Sequence, residues 1–113
     1  MKRAGRLSRG EPFDSVYSRG TVISGPLLVV RFLPNDAGET RMGFAVGKRL
    51  SKKAVVRNRL KRQIREAVRL LPVSDGWDIV ITARPNAMDA GFETLRRDLE
   101  TRFGRAGLLG SRE

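Results

Sequence analysis

One stretch of 17 residues, VVRNRLKRQIREAVRLL from Val55 to Leu71, constrains the fold most, because regular apolar positions alternate there with dense positive charge. At about 100° per residue, one face of a helix collects Val56, Leu60, Ile64, Ala67, Val68 and Leu71. The opposite side collects Asn58, Arg62, Arg65 and Arg69, flanked by Arg59 and Lys61. An amphipathic helix is therefore predicted, packed by one face and cationic on the other. Arg57 falls at the edge of the apolar face, where its stem can pack while its head reaches solvent.

The positive charge of the chain is concentrated in this helix and in the segment before it. The 113 residues include 23 Lys and Arg against 12 Asp and Glu, a formal net charge of +11. Residues 48–71 hold ten basic side chains and one acidic one, whereas residues 72–113 hold six and seven. Solvated helix faces usually mix signs, because like charges repel at i, i+3 and i, i+4. Arginine also pairs well with phosphate, so we interpret this surface as a phosphate-binding one.

The rest of the chain is typical of a small α+β domain. The segments EPFDSVYSRG and DAGFETLRRDLETRFGRAG have helical spacing, and the second places Phe92, Leu95, Leu99 and Phe103 on one stripe. Two strands joined by a turn over residues 34–40, and a third strand in WDIVITARP, complete the order α-β-β-α-β-α. We expect one RNA-binding domain over residues 1–113, with residues 1–6 and 108–113 flexible.

The second predicted strand has two unequal faces. Met42, Phe44 and Val46 alternate with Gly43, Ala45 and Gly47, so that one face is bulky and the other is nearly bare. Such a strand suits a core on one side and the close approach of backbone or ligand on the other.

Composition excludes several kinds of site. The chain has no cysteine and no histidine, which removes disulfides, the usual zinc sites and imidazole-based catalysis. The acidic residues are scattered, so neither a catalytic residue nor a metal site is predicted in the protein itself. No segment is long and apolar enough for a signal peptide or a membrane span, so a cytoplasmic location without a membrane partner is expected.

The residues FAVGKRLSKKAVVRNRLKRQIREAVR closely resemble the signature of the bacterial ribonuclease P protein subunit, whose hallmark is an Arg-Asn-Arg motif opening a basic helix. The flanking segments FDSVYSRG and DIVITARP are similar to that family in order and spacing, and the resemblance covers residues 6–105. It implies a small sandwich of helices on a mixed β-sheet. It also implies a left-handed β-α-β crossover around the basic helix, where general rules favour a right-handed one.

The resemblance further implies that the chain assists endonucleolytic removal of the 5′ leader from precursor tRNA. In that family an RNA subunit carries the chemistry and holds Mg²⁺, while the protein binds this catalytic RNA and the leader. The implied activity is thus that of an endoribonuclease of which this chain is the protein subunit. The implied partners are the catalytic RNA and precursor tRNA, with no obligate protein partner.

Position by position, the resemblance assigns two groups of residues. Catalytic-RNA contacts are implied for a set that we call the basic surface, to which the polar helix face adds its last member. These residues are Lys48, Arg49, Lys52, Lys53, Arg57, Asn58, Arg59, Lys61, Arg62, Arg65 and Arg69. Phe13, Tyr17 and Arg31 match positions in a cleft that holds the single-stranded leader, where aromatic stacking tolerates any base.

Some of these assignments have alternatives. Without the resemblance, Phe13 and Tyr17 fit the core face of an amphipathic helix. Arg31 stands where the family often has an aromatic residue, and stacking, phosphate pairing and solvent exposure are all open to it. Arg84, at the end of the third strand, suits a structural ion pair as well as an RNA contact.

Three other functions fit parts of the pattern. The main alternative is a non-enzymatic RNA-binding protein such as a ribosomal protein, which would bind ribosomal RNA without affecting tRNA processing. A DNA-binding protein is less favoured, because no helix-turn-helix partner for the basic helix is recognisable. A self-sufficient metal-dependent nuclease would need clustered carboxylates, which the spacing does not show.

Overall fold

A five-stranded mixed sheet with helices on both faces forms the fold, and the computed structural model describes residues 5–6 and 11–110. The strands are β1 (Gly5–Arg6), β2 (Thr21–Ser24), β3 (Leu28–Pro34), β4 (Arg41–Ala45) and β5 (Trp77–Ala83). The helices are α1 (Glu11–Arg19), α2 (Ala54–Arg69) and α3 (Phe92–Ala106). The strands lie in the order β1-β4-β5-β3-β2 across the sheet.

The predicted α+β class and the order α-β-β-α-β-α are confirmed by α1, β3, β4, α2, β5 and α3. β4 and β5 are parallel neighbours connected through α2, so the β-α-β unit is present, while its left hand stays a prediction. β3 pairs antiparallel with both β5 and β2. The sequence pattern missed β1 and β2, because two and four residues are too short to show alternation.

Alternation along β3 and β5 sends side chains into two separate cores. The main core lies under α2 and α3, and its strand residues include Leu28, Val30, Phe32, Ile79 and Ile81. On the opposite face, Val80 packs against Val16 of α1, with Phe13 and Leu33 at its margin. Because burial of apolar surface drives both contacts, the sheet holds α1 on one side and the basic helix α2 on the other.

The end of the chain is packed where the structure describes it. Gly107 has a left-handed φ of 74° and turns the chain after α3, Leu108 is fully buried, and Leu109 forms a β-bridge with Val73. The expected flexibility is therefore wrong for residues 108–110, and also for Gly5–Arg6, which pair with β4. Residues 1–4 and 111–113 lie outside the described ranges.

The predicted apolar stripe of α3 is confirmed except at its start. Leu95, Leu99 and Phe103 are fully buried in the main core. Phe92, in the first turn, is exposed, because the helix begins beyond the edge of the residues that it covers.

Gly20 ends α1 at a close approach of two backbone segments. Its N–H donates to the carbonyl oxygen of Val16 at 2.9 Å, and an added Cβ would overlap that oxygen and lie 3.0 Å from the carbonyl oxygen of Phe32. We expect Gly20→Ala to lower the free energy of unfolding by about 2–3 kcal/mol, because neither backbone atom can easily move.

The matched control for Gly20 is Gly104, inside α3, where an added Cβ would meet no atom within 4 Å. Gly104→Ala should raise the free energy of unfolding by up to about 1 kcal/mol through helix propensity. Urea unfolding measures both changes. A loss at Gly20 of less than about 0.5 kcal/mol, within the range of ordinary surface substitutions, would contradict the close approach.

Candidate nucleic-acid interface

The segment between β4 and α2, residues 47–53, is a turn that carries four exposed cations, and we call it the basic loop. The Leu50 N–H donates to the carbonyl oxygen of Gly47 at 3.1 Å, and the Leu50 side chain packs against the main core. The Ser51 hydroxyl accepts the Lys53 N–H at 3.2 Å. Lys53, in extended conformation, precedes the first turn of α2. The exposed cations are Lys48, Arg49, Lys52 and Lys53.

Helix α2 has the predicted buried face and the predicted cationic face. Its buried residues are Leu60, Ile64, Ala67 and Val68. Its exposed polar residues are Asn58, Arg59, Arg62, Arg65 and Arg69. Lys61 and Arg57 are half-buried, so nine of the eleven residues of the basic surface are exposed and lie on this helix or on the loop that leads into it.

Few carboxylates offset these cations. Among the described residues, only Arg69 of the basic surface has a carboxylate within 4.0 Å, with Nη1 at 2.7 Å from Glu66 Oε2. On α3, by contrast, Arg96 pairs with Glu93 and Glu100, and its hydrogen bond lowers the pKa of the Glu93 carboxyl. The strongest positive potential is therefore expected along α2 and the basic loop, where it would attract a polyanion.

Arg65 connects α2 to the sheet. Its Cζ lies 5.4 Å from the centroid of the Phe44 ring, a cation–π distance. Phe44 itself packs at the margin of the main core, as predicted for the bulky face of β4. Arg65 therefore keeps an exposed charge while its position is held by the ring.

On the opposite face of the sheet, α1 carries Phe13 and Tyr17 in two different environments. Their ring centroids are 5.2 Å apart. Phe13 is half-buried against Val16, Val80 and Leu33, whereas Tyr17 is 40% exposed. The two interpretations made from spacing thus divide between the two residues, because Phe13 supports the small core and Tyr17 presents an open ring.

Arg31 stacks on Tyr17, which resolves its intramolecular contact. Its Cζ lies 4.7 Å from the centroid of the Tyr17 ring, and its Nη1 donates to the Thr82 hydroxyl at 3.4 Å. Tyr17 Oη and Thr82 Oγ1 are 3.1 Å apart, a hydrogen-bonding distance. Thr82 is a member of this cluster that sequence patterns missed, although the alternation of β5 places it on the same face as Val80.

The bare face of β4 lies beside this cluster. Gly43 pairs with Val80 and Ala45 with Thr82 in the parallel register, so both small residues face the α1 side of the sheet. With Phe13, Tyr17 and Arg31 they form a surface that we call the cleft. The absence of large side chains at Gly43 and Ala45 leaves room beside the Tyr17 ring, as the sequence predicted.

These features are matched by known proteins along nearly the whole chain. The family model described as Ribonuclease P matches residues 1–107. The chain belongs to the ribonuclease P protein family. A ribonuclease P protein component from Symbiobacterium thermophilum is 50% identical over 112 residues, which is 96% of either chain. One from Dehalococcoides mccartyi is 38% identical and covers 96% of this chain and 90% of its own.

Solved ribonuclease P proteins share the fold. The Staphylococcus aureus RNase P protein superposes with a TM-score of 0.84 at 29% identity, over 96% of this chain and 100% of that one. The Thermotoga maritima protein superposes with a TM-score of 0.80 at 29% identity, over 88% and 96%. The family predicted from the Arg-Asn-Arg motif is therefore confirmed, and the chain is the protein component of a ribonuclease that processes tRNA. The match supports this function rather than that of a ribosomal protein.

Family membership gives the two arginines beside the cleft and the loop a clearer context. Arg84 is exposed directly after β5, and no carboxylate among the described residues lies within 4.0 Å of it. Because β4 and β5 are parallel, Arg84 emerges at the same sheet edge as the basic loop. Its structural ion pair, one of two alternatives from sequence, is therefore not formed within the described part of the chain.

Two surveys of the described residues complete the picture of the interface. No group of three or more Asp and Glu side chains there is arranged to hold a metal ion. No helix among them is long and apolar enough to cross a membrane.

Proposed function

We propose that the basic surface binds the catalytic RNA of ribonuclease P and that the cleft binds the 5′ leader of precursor tRNA. The observation that carries this proposal is the row of exposed cations along α2 and the basic loop that lack carboxylate partners among the described residues. Phosphate groups would supply the missing counter-charge. The leader assignment rests on the open Tyr17 ring beside Gly43 and Ala45.

The sheet separates the two binding surfaces and also connects them. α1 with the cleft lies on one face and α2 on the other, so that one RNA could be held on each. The carboxyl ends of β4 and β5 bring the basic loop and Arg84 to the edge where the faces meet. We infer that substrate and catalytic RNA approach each other along this edge.

The proposed division of labour gives the chemistry to the RNA. Mg²⁺ held by the RNA subunit would assist hydrolysis of the phosphodiester, while the cations of this chain raise affinity and offset phosphate repulsion. A chain without histidine or cysteine fits that role. We propose that it acts in the cytoplasm, where precursor tRNA would be met.

Binding measurements separate this function from that of a ribosomal protein. The chain should bind ribonuclease P RNA more tightly than ribosomal RNA fragments of the same length at equal salt. Comparison at matched ionic strength is needed, because the non-specific phosphate contribution falls steeply with salt. Equal affinity for both RNAs would favour the ribosomal alternative.

Replacing Tyr17 tests the leader assignment. Tyr17→Ala should weaken binding of a precursor tRNA with a long leader by about 1–2 kcal/mol, because one base–aromatic stack is lost. Binding of a precursor whose leader is too short to reach the cleft should change little. Affinities of the assembled complex for both substrates provide the measurement.

The control for this substitution is Tyr17→Phe, which keeps the ring and removes only the hydroxyl beside Thr82. It should retain most of the affinity for the long leader, within roughly threefold, because the stacking face is unchanged. If Tyr17→Ala reduced affinity equally for long and short leaders, the leader assignment would be wrong.

A further inference from the structure

Arg57 differs from its neighbours on the basic surface in where its guanidinium lies. Nη1 of Arg57 donates a hydrogen bond to the carbonyl oxygen of Ser51 at 2.8 Å. The side chain is half-buried, whereas Arg59 and Arg62 are exposed. Its backbone N–H also donates to the carbonyl oxygen of Lys53, at 3.2 Å. Arg57 therefore contacts the basic loop through both its backbone and its side chain.

The basic loop has few other supports. The Gly47–Leu50 turn, the packed Leu50 side chain and the Ser51–Lys53 contact hold it from within. None of its four cations has a carboxylate within 4.0 Å among the described residues, so their mutual repulsion favours an open loop. The Arg57 side chain is the contact that ties the middle of this loop to the first turn of α2.

We propose that Arg57 is a positioning residue, which holds the basic loop in its RNA-binding conformation through the Ser51 carbonyl rather than by binding a phosphate itself. The bond keeps the loop cations and the exposed face of α2 in one surface before RNA arrives, so less ordering accompanies binding. The planar guanidinium is held by its fork geometry, which the ammonium of a lysine does not reproduce. The inference rests on the proposed RNA-binding function.

The first experiment uses the full chain without RNA. Hydrogen exchange of the peptide that spans residues 47–53 is compared for Arg57→Ala, Arg57→Lys and the control Arg62→Ala. Loss of a hydrogen bond to a charged donor should speed exchange in the loop about tenfold or more in both Arg57 variants. Arg62→Ala should exchange as the wild-type chain does, because Arg62 is exposed and makes no hydrogen bond within the described residues.

The second experiment titrates the same variants with ribonuclease P RNA over a range of salt concentrations. Arg62→Ala should lower the slope of log affinity against log salt by about one, as for a single phosphate contact, and Arg62→Lys should restore it. Arg57→Ala should lower the slope by about two or more, because several loop cations leave the surface together. Arg57→Lys should not rescue it.

Two results would overturn the assignment of Arg57. One is loop exchange that stays at the wild-type rate in both Arg57 variants. The other is full recovery of RNA affinity in Arg57→Lys, which a simple phosphate contact would allow. A wild-type chain that bound no RNA would instead overturn the proposed function, and hydrogen exchange would still decide whether Arg57 holds the loop.

Discussion

Reversing the charge of Arg59 and Arg62 together is expected to weaken binding of the catalytic RNA by roughly 10²–10³-fold at physiological salt. Both side chains are exposed on α2, and neither has a carboxylate within 4.0 Å among the described residues. Each change to Glu removes an attraction to phosphate and adds a repulsion, about 1 kcal/mol for either at contact distance in water. The salt dependence should become shallower by about two contacts.

The matched control reverses two arginines on α3, Arg97→Glu with Arg105→Glu. This pair changes the net charge by the same amount and is also exposed, but α3 carries balanced charge around Arg96 and Glu93. Its RNA affinity should stay within about threefold of the wild type, because these side chains lie off the basic surface. Equal losses in the two double variants would mean that total charge, and not the α2 surface, governs binding.

Asp78→Ala is expected to lower the free energy of unfolding by about 3 kcal/mol. Asp78 is only 5% exposed, and its two carboxylate oxygens accept hydrogen bonds from Nε and Nη2 of Arg41, both at 2.8 Å. Oδ1 also accepts from the Asn35 side-chain amide at 2.8 Å. The hydrogen bond to Asp78 raises the pKa of the Arg41 guanidinium above its ordinary value.

The size of this effect follows from what the substitution leaves behind. Removing one partner of a buried ion pair costs about 3–5 kcal/mol, because the other charge is left uncompensated. The Arg41 side chain is 31% exposed and can turn towards water, so the lower end of the range is expected here. The amide of Asn35, which also donates to the carbonyl oxygen of Glu39, would lose one of its two acceptors.

A second substitution separates the ion pair from general packing. Arg41→Met in the Asp78→Ala background removes the uncompensated charge and should recover about 1 kcal/mol or more. Denaturant unfolding of the two single variants and the double variant gives the coupling energy. Strictly additive losses would show that the pair contributes no interaction of its own.

Periodicity was sufficient to predict α2, because 16 residues of helix provide several turns of the same apolar and cationic pattern. The bare face of β4 could also be predicted, since Gly43 and Ala45 alternate with large residues. Periodicity could not separate Phe13 from Tyr17, which share one face of α1. The sheet beneath α1 separates them, because Val80 and Leu33 bury the first ring while Thr82 and Arg31 contact the exposed second one.

Other features depend on contacts between residues far apart in the chain. β2 forms only because it pairs with β3, and Leu108 is buried because the chain turns back at Gly107 onto the main core. The Arg57 contact crosses six residues and depends on the path of the basic loop, which no repeat in the sequence encodes. The family motif identified Arg57 as important without indicating what it contacts.

Reconstitution with ribonuclease P RNA tests the central claim most directly. Cleavage of the 5′ leader from a precursor tRNA is measured with the RNA alone, the protein alone and both together, at low Mg²⁺. We predict that the protein alone cleaves nothing, and that adding it to the RNA raises kcat/KM for precursors with long leaders. Cleavage by the protein alone, or a rate with both components no higher than that of the RNA alone, would contradict this account.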